Sequence, residues 1–176
     1  MLVTVRGRRP RLAAGVWIAP TAVVTGEVEI GSHSSIWFNT VVRGDAAPII
    51  IGAETNIQDG CAVHAIHEKS RVNIGNRVSV GHLCILHGCE VHDGVLIGMG
   101  SLIMDGAVIG ENCLVAAGSL VTAGSRFDSG DVIMGRPAKA TRKVTPDELR
   151  TNEARIRNYL MFVDWYREST DGSPTG

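Results

Sequence analysis

The chain has 176 residues, and its 17 lysines and arginines almost balance its 18 aspartates and glutamates, leaving a formal charge of -1. This balance argues against binding to nucleic acids or anionic membranes, which favour a surplus of positive charge. No apolar run approaches the roughly 18–20 residues of a membrane span, and the N-terminus lacks the apolar segment of a secretion signal. We therefore expect a cytoplasmic protein whose 4 cysteines are reduced thiols.

Aliphatic residues recur every six positions along most of the chain, with three breaks in register. A small residue usually follows four places after each of them, so we predict that both positions face inward. The composition agrees, because 21 glycines and only 5% aromatic residues suit many tight corners around an aliphatic core. The aliphatic positions are Ile18, Val24, Ile30, Ile36, Val42, Ile51, Ile57, Val63, Ile74, Val80, Leu86, Val91, Ile97, Ile103, Ile109, Val115 and Val121.

This period of six indicates the fold class. It matches neither an amphipathic helix, which repeats at about 3.6 residues, nor a long strand, which repeats at about 2. It matches short strands joined by corners, three to a coil, that stack as a solenoid. We therefore predict an all-β fold, a parallel β-helix over residues 1–140. Residues three hexads apart then lie on the same wall, about 4.8 Å apart on successive coils.

The segment after the repeats predicts a helix. Thr145-Pro146-Asp147-Glu148 combines a capping hydroxyl, a proline in the first turn and a glutamate three residues after the cap. An apolar stripe at helical spacing follows, formed by Leu149, Ile156, Tyr159, Leu160 and Val163. We expect a C-terminal α-helix within residues 141–168 that packs on the solenoid, followed by a disordered tail, 169–176.

The position directly after each inward aliphatic residue is often glycine, and its exceptions in the middle of the chain are large and polar. Arg43, His64 and His87 are three of these exceptions, and counting hexads places them in one column. Gln58 is a fourth. The two histidines are then neighbours on adjacent coils. A spacing of about 4.8 Å lets both imidazoles reach one ion at zinc–nitrogen distances of roughly 2.0–2.1 Å.

His82 is predicted to lie on the adjacent wall, two residues after Val80. A neighbouring subunit could bring it to the histidine pair more easily than the same chain. Three prisms around a threefold axis would pair His64 and His87 of one subunit with His82 of the next, giving three equivalent sites. Three neutral nitrogens with an open fourth position suit catalytic zinc. The alternative, that each histidine is a surface or structural residue, stays open.

In its middle third the chain resembles the γ-class carbonic anhydrase family, and the resemblance extends over about residues 12–140. The matching segments are Trp37–Asp45, Thr55–Gly60, Val63–His64, Val80–Cys89 and Leu96–Gly100. The resemblance implies a left-handed parallel β-helix of hexapeptide repeats that assembles as a homotrimer with metal at the subunit interfaces. It also implies a lyase, which hydrates carbon dioxide reversibly to bicarbonate by means of a zinc-bound hydroxide.

The resemblance assigns roles to individual residues as well. The ligands of Zn2+ would be His64, His82 and His87, and the same three imidazoles also accept Fe2+ or Co2+. Gln58 would hydrogen-bond the metal-bound hydroxide, with Asn56 as its neighbour. Arg43 and Asp45 are similar to the family's interface salt bridge, a charge-assisted pair that fixes the trimer beside the site. Tyr159 on the C-terminal helix would close the pocket.

Two departures from the family pattern concern proton transfer. Ala46 replaces the family's shuttle glutamate, and the acidic loop after the first ligand shortens to 65–69. We predict that His67, with an unperturbed pKa of about 6.5, carries protons to solvent in its place, with Glu68 as a weaker candidate. His67 as an ordinary solvated loop residue is the alternative.

Three other functions stay open on the same scaffold. Hexapeptide acyltransferases share the solenoid, but they usually act through one histidine base and a coenzyme A cleft. A thioesterase acting on an acyl-CoA is a closer competitor, because a zinc-bound hydroxide can attack an acyl carbon as well. The missing shuttle residue would also suit a non-catalytic metal-binding or assembly protein.

Overall fold

The computed structural model of the chain describes residues 1–170 and has a parallel β-solenoid followed by one helix. Most strands are only two or three residues long, because a tight corner interrupts each hexad. The elements in chain order are β1 (Leu2–Val3), β2 (Arg11–Leu12), β3 (Trp17–Ile18), β4 (Val23–Ile30), β5 (Ser35–Ile36), β6 (Val41–Ile51), β7 (Asn56–Ile57), β8 (Ala62–His64), β9 (Val72–Ile74), β10 (Ser79–Val80), β11 (Ile85–His87), β12 (Glu90–Val91), β13 (Leu96–Ile97), β14 (Leu102–Ile103), β15 (Val108–Ile109), β16 (Leu114–Val115), β17 (Leu120–Val121), β18 (Arg126–Phe127), β19 (Asp131–Gly135), β20 (Ala138–Lys143) and α1 (Pro146–Thr170).

Three walls form the solenoid. The first wall stacks β8, β11, β14 and β17, the second stacks β9, β12, β15 and β18, and the third stacks β3, β5, β7, β10, β13, β16 and β19. Strand β6 belongs to two walls, since its residues Val41–Val42 pair with β8 while Ile49–Ile51 pair with β9. About seven coils result, and they form the left-handed hexapeptide β-helix expected from the sequence.

The aliphatic residues of the six-residue period form the core, as predicted. All of them are buried except Ile18, which is partly exposed on the first coil and still packs against the core. Strand pairing keeps them in register, so Val42, Val63 and Leu86 lie opposite one another on successive coils. Each such burial contributes roughly 1.5–3 kcal/mol for a Val, Leu or Ile side chain.

The small inward positions form a column of hydrogen-bond donors at one corner. Thr40 Oγ1 donates to the Gln58 carbonyl at 2.6 Å, Cys61 Sγ to the Gly81 carbonyl at 3.1 Å, and Cys84 Sγ to the Gly98 carbonyl at 3.2 Å. All four cysteines are free and buried. These contacts give the thiols a structural role, because they satisfy carbonyls that the corners leave without a strand partner.

The C-terminal end differs from the predicted boundaries. β19 and β20 form an antiparallel hairpin, so residues 138–143 are a strand that pairs with the last coil. The helix begins at Pro146, directly after the predicted cap Thr145, so residues 141–145 of the predicted range precede it, and it ends at Thr170. Of the tail predicted to be disordered, residues 169 and 170 are helical, and 171–176 lie outside the described residues.

The helix packs along the third wall, as expected, and contacts β5 and β10. Ile156 and Val163 are buried, and Asn152 Nδ2 donates a hydrogen bond of 2.9 Å to the Gly94 carbonyl. Leu149, at the start of the predicted stripe, is 37% exposed. No helix within residues 1–170 has the length and apolar character needed to cross a membrane.

The predicted capping box is present at the start of the helix. Glu148 N donates to Thr145 Oγ1 at 3.3 Å, and Thr145 N donates to Glu148 Oε2 at 2.9 Å. Arg142 of β20 binds the same carboxylate through two hydrogen bonds of 2.7 and 2.8 Å. The hydrogen bonds from Arg142 first, and from Thr145 second, lower the pKa of Glu148 to about 2.

Replacing Glu148 by alanine is expected to lower the melting temperature above pH 5, where the carboxylate is charged in both folded and unfolded chains. Because the folded pKa is depressed, the loss should shrink as pH falls from 4.5 toward 2. Thermal unfolding followed by circular dichroism at several pH values measures the difference. Glu148→Gln is the control, since it keeps a hydrogen-bond acceptor and removes the charge; a pH-independent loss in Glu148→Ala would contradict the prediction.

Candidate metal centre

His64 and His87 lie side by side on the first wall. They are partners in the ladder between β8 and β11, and their ring centroids are 5.4 Å apart. Val63 and Leu86, the inward residues before them, are paired in the same ladder. The stacking predicted from hexad counting is therefore present, and it brings two imidazoles within reach of a common ion.

An aspartate and an arginine stand beside His64. Asp45 Oδ1 lies 3.2 Å from His64 Nε2, and Asp45 Oδ2 accepts a hydrogen bond of 2.7 Å from Arg43. Burial raises the pKa of the Asp45 carboxyl, but hydrogen bonding and charge from Arg43 outweigh it and hold the pKa below its usual value. Burial and the Arg43 charge lower the pKa of His64, which favours the neutral, metal-binding imidazole. The salt bridge predicted at the interface forms within this chain.

A second aspartate orients His87. Asp105 Oδ2 lies 2.8 Å from His87 Nδ1, and Asp105 Oδ1 accepts a hydrogen bond of 2.9 Å from Ser70. Gly88 makes this approach possible, because a Cβ atom there would collide with the Asp105 carboxylate and the Ser70 hydroxyl. Burial opposes ionisation, yet the bonds from His87 and Ser70 lower the pKa of Asp105. A carboxylate on Nδ1 leaves Nε2 of His87 free to bind a metal.

A third aspartate contacts Nδ1 of His82, as Asp105 does for His87, but at a different corner of the solenoid. His82 follows β10 of the third wall, and its Nδ1 lies 2.8 Å from Asp59 Oδ2. Its side chain is 41% exposed, so Nε2 is accessible from outside the chain. The two ring nitrogens therefore have separate tasks, with Nδ1 held by a carboxylate and Nε2 available as a ligand.

The three histidines fit a metal chemically, but one chain does not bring them together. Three neutral imidazoles suit zinc, iron or cobalt. A carboxylate lies at Nδ1 of His82 and of His87, whereas in His64 it lies at Nε2. Within residues 1–170, no three His, Cys, Asp or Glu side chains converge on one point. The ligand set is split instead, with His64 and His87 on the first wall and His82 at a corner beyond the third.

A pocket of about 290 Å3 lies at the His82 half of the site, and Gln58 and Tyr159 line it. Gln58 is buried, and its Nε2 donates to Asn56 Oδ1 at 3.0 Å and to Ser79 Oγ at 3.3 Å. Both amide hydrogens are thus committed, and the oxygen Oε1 is left to accept a bond from a ligand. Asn56 Nδ2 is buried without a hydrogen-bond partner, which is unusual for a polar atom. This network can therefore donate one more hydrogen bond.

Tyr159 connects this pocket to an aromatic cluster that the sequence did not reveal. Its ring meets Trp37 edge-on at 5.0 Å, and Trp37 in turn contacts Trp17, Phe38 and Tyr166. Burial, with a smaller effect of the Asp59 charge, raises the pKa of Tyr159 to about 12, so its hydroxyl stays protonated. The signal available in the sequence was Trp37-Phe38, two large rings in outward positions of a repeat whose other coils carry smaller groups there.

His67 and Glu68 lie apart from the histidine pair, in the exposed turn between β8 and β9. Their side chains approach to 3.9 Å, and both line a second pocket of about 450 Å3 together with Asp45 and Ala46. Asp45 also contacts His64, so this pocket is separated from the histidine pair by the Asp45 side chain. The position is compatible with proton transfer through the space that the alanine leaves.

Two of the three aspartates that contact the histidines, Asp59 and Asp105, were missed by the sequence analysis. Asp105 follows His87 by 18 residues, one more than the coil that pairs Leu86 with Ile103. Asp59 precedes His82 by 23 residues, one coil plus the insertion between β8 and β9. A search for acidic residues about one coil away from each histidine would have found both.

Comparisons with known proteins agree with the repeat and the histidines. The family model described as "Bacterial transferase hexapeptide (six repeats)" matches residues 88–123. A carbonic anhydrase of Geobacillus kaustophilus is 42% identical over 167 residues, which are 95% of this chain and 91% of that protein. Gamma carbonic anhydrase 2, mitochondrial, of Arabidopsis thaliana is 41% identical over 92% of this chain, which spans 60% of that protein. The chain belongs to the γ-class carbonic anhydrase family.

A solved structure described as a transferase is also similar to this chain. A hexapeptide transferase family protein from Anaplasma phagocytophilum superposes with a TM-score of 0.89 at 40% identity, covering 94% of this chain and 97% of that one. Membership of the γ-class carbonic anhydrase family implies a metal cofactor, and His64, His82 and His87 are the residues that could hold it.

Replacing Asp105 by asparagine is expected to weaken metal binding by roughly 10–100-fold, because His87 loses the carboxylate that orients it. Competition with a chromogenic chelator measures the affinity. Asp93→Asn is the matched control, since Asp93 bonds Asn76 at 2.8 Å on another corner and touches no histidine of the site. Equal affinities in the two variants would show that Asp105 does not support the ligand.

Proposed function

We propose that the chain is a cytoplasmic γ-class carbonic anhydrase that acts as a homotrimer, with Zn2+ between subunits. The observation that carries this proposal is the split ligand set, a stacked His64–His87 pair on one wall and His82 at a distant corner. Adjacent copies around a threefold axis complete one another's sites. A bound zinc ion would supply hydroxide near neutral pH for attack on carbon dioxide, and bicarbonate is the product.

The chain's own residues would orient the reactants. Gln58 Oε1 accepts a hydrogen bond from the attacking group, and its amide is fixed by Asn56 and Ser79. The unpartnered Asn56 Nδ2 keeps a donor within the same network. Tyr159 closes the pocket with a protonated hydroxyl on an apolar ring, which limits access of water. Uncharged carbon dioxide suits such a largely apolar entrance.

Arg43 and Asp45 would act at the subunit boundary. Arg43 is nearly half exposed in the single chain, with 47% of its side chain accessible, so it has room to contact a neighbouring subunit. Its charge stays close to Asp45 and, through Asp45, to His64. The pair would thereby couple assembly to the orientation of one ligand.

Hydration of one carbon dioxide yields one bicarbonate and one proton, and the proton must leave the site before the next turnover. Ala46 offers no group for this step, whereas His67 borders the same pocket and is more than half exposed. We infer that His67 accepts the proton at a ring nitrogen and passes it to solvent, with Glu68 as the weaker candidate.

Purified protein is expected to contain about one metal ion per chain and to hydrate carbon dioxide in a stopped-flow assay. His64→Ala should lose the metal and reduce hydration to the uncatalysed rate, because only two of the three proposed ligands, His87 and a neighbouring copy's His82, remain. His92→Ala is the control, since His92 is paired with Glu90 on the second wall. Metal without hydration in the wild-type protein would contradict the proposed reaction.

His67→Ala is expected to slow hydration by roughly 10–100-fold at low buffer concentration, because the proton loses its carrier. Added imidazole should restore the rate, since it can enter the pocket beside Ala46 and carry the proton itself. Glu68→Gln serves as the comparison and should have a smaller effect. A wild-type rate in His67→Ala at low buffer concentration and without added imidazole would reject this histidine as the shuttle.

Acyl chemistry is the second candidate, and the similarity to a hexapeptide transferase family protein favours it. In that case the split histidines would serve hydrolysis or transfer of an acyl-CoA at the same subunit boundary. An assay with short acyl-CoA substrates, run on the metal-loaded protein that fails to hydrate carbon dioxide, separates this function from that of a non-catalytic assembly protein.

A further inference from the structure

One corner column of the solenoid contains a residue that the fold alone does not explain. Its members are identified by their backbone N–H groups, which donate to a carbonyl on the preceding coil in four of them and to the Thr21 hydroxyl in Asn39. Gly60 donates to Phe38 and Leu83 to Asp59 at 2.9 Å, and the next two members repeat the pattern at 2.8 Å. The column consists of Asn39, Gly60, Leu83, Gly100 and Gly118.

All five members have a left-handed backbone, with φ between 59° and 70°. Glycine and asparagine adopt this conformation readily, and they occupy four of the five positions. Leu83 adopts it at φ 59°, although its Cβ and branched side chain disfavour it. The corner itself therefore does not require leucine, and glycine would fit it with less strain.

Leu83 is also the most exposed large apolar residue among residues 1–170, with 70% of its surface accessible. Its side chain lies back over Gly60, where an added Cβ would come within 2.7 Å of the leucine Cδ2. Leu83 thus combines an unfavourable backbone conformation with an unfavourable exposure. A residue that costs the isolated chain in both ways points to a stabilising contact outside that chain.

The position of Leu83 indicates where this contact is made. It directly follows His82, and its N–H donates to the carbonyl of Asp59, the residue whose carboxylate holds His82. Leu83 and His82 therefore project together from the edge between the third and first walls. On the proposed function, on which this inference rests, that edge must meet the histidine pair of another copy.

The first wall carries an apolar surface that could receive Leu83. Its outward residues are aliphatic and in register on successive coils, namely Val41, Ala62, Ile85, Leu102 and Leu120. The equivalent outward positions of the second wall include Glu29, Asn73 and Glu90, and α1 covers part of the third wall. The aliphatic row, which we call the first-wall stripe, lies two residues before His64 and His87 along their strands.

We propose that Leu83 is a positioning residue for the shared metal site. It packs against the first-wall stripe of a second copy of this chain and sets how closely His82 approaches that copy's His64 and His87. The contact compensates for the backbone strain and for the exposure of the side chain. Assembly and ligand geometry are then linked, because the same corner carries the apolar contact and the third imidazole.

The test uses the full-length protein with Leu83→Gly and Leu83→Met. Glycine relieves the strain and removes the contact, whereas methionine keeps an apolar side chain at the corner. Analytical ultracentrifugation across a dilution series measures dissociation of the trimer. We expect Leu83→Gly to raise the protein concentration at which half of the trimer is dissociated at least tenfold. Leu83→Met should keep this concentration close to the wild-type value. Ile50→Ser, which removes a 44% exposed residue from the second wall, should leave it within twofold.

A second measurement separates positioning from assembly alone. At protein concentrations where Leu83→Gly remains trimeric, transfer of added zinc to a chelator should be at least tenfold faster than in the wild-type protein. A wild-type trimer that binds no zinc would reject the proposed function, yet the dilution series would still test the leucine contact. A monomeric wild-type protein, or Leu83→Gly trimers that dissociate and release zinc as the wild type does, would overturn the inference.

Discussion

The molecule depends on one constraint, the in-register hydrogen bonding of strands that lie one coil apart. Each wall of the solenoid keeps this register from the first coil to the last, so the inward aliphatic residues stack without gaps. Extra residues cannot be absorbed within a wall and must leave it at a corner. The segments around Asp45 and His67 are such departures, and they border the histidine pair. The regular coils thus hold the two histidines in fixed positions, and the insertions at the corners carry the additional groups Asp45 and His67.

The sequence alone predicts the structural features that depend on residues at fixed spacing. The core, the stacking of His64 on His87, and the capping box of the helix were all predictable, because each depends on residues at fixed spacing. The strand at 138–143 was not predicted, since it has no hexad and pairs antiparallel. Asp59 and Asp105, which contact His82 and His87, were missed for a different reason. They contact their partners across coils, and a search along the chain alone does not compare residues one coil apart.

Charge is distributed locally in a chain whose total is close to zero. Each histidine of the candidate site has its own carboxylate, Asp45, Asp59 or Asp105, within 3.2 Å. These groups fix ring orientation and place negative charge around a position that would hold a divalent cation. The arrangement is present in the single chain on both halves of the site. On the proposed function, association of the two halves would complete the centre, with His82 and His87 already held at Nδ1 by Asp59 and Asp105.

The hairpin at the C-terminal end has a consequence for how molecules of this shape can associate. The last coil of a parallel solenoid exposes a row of backbone donors and acceptors, which could template a further chain and lead to fibres. On the third wall, β20 occupies that row and runs in the opposite direction. Its exposed Lys139 adds a positive charge at this edge, while the charges of Arg142 and Lys143 are paired with Glu148 and Asp131. Axial growth is thereby disfavoured on this wall, and lateral packing is the mode of self-association that the architecture leaves open.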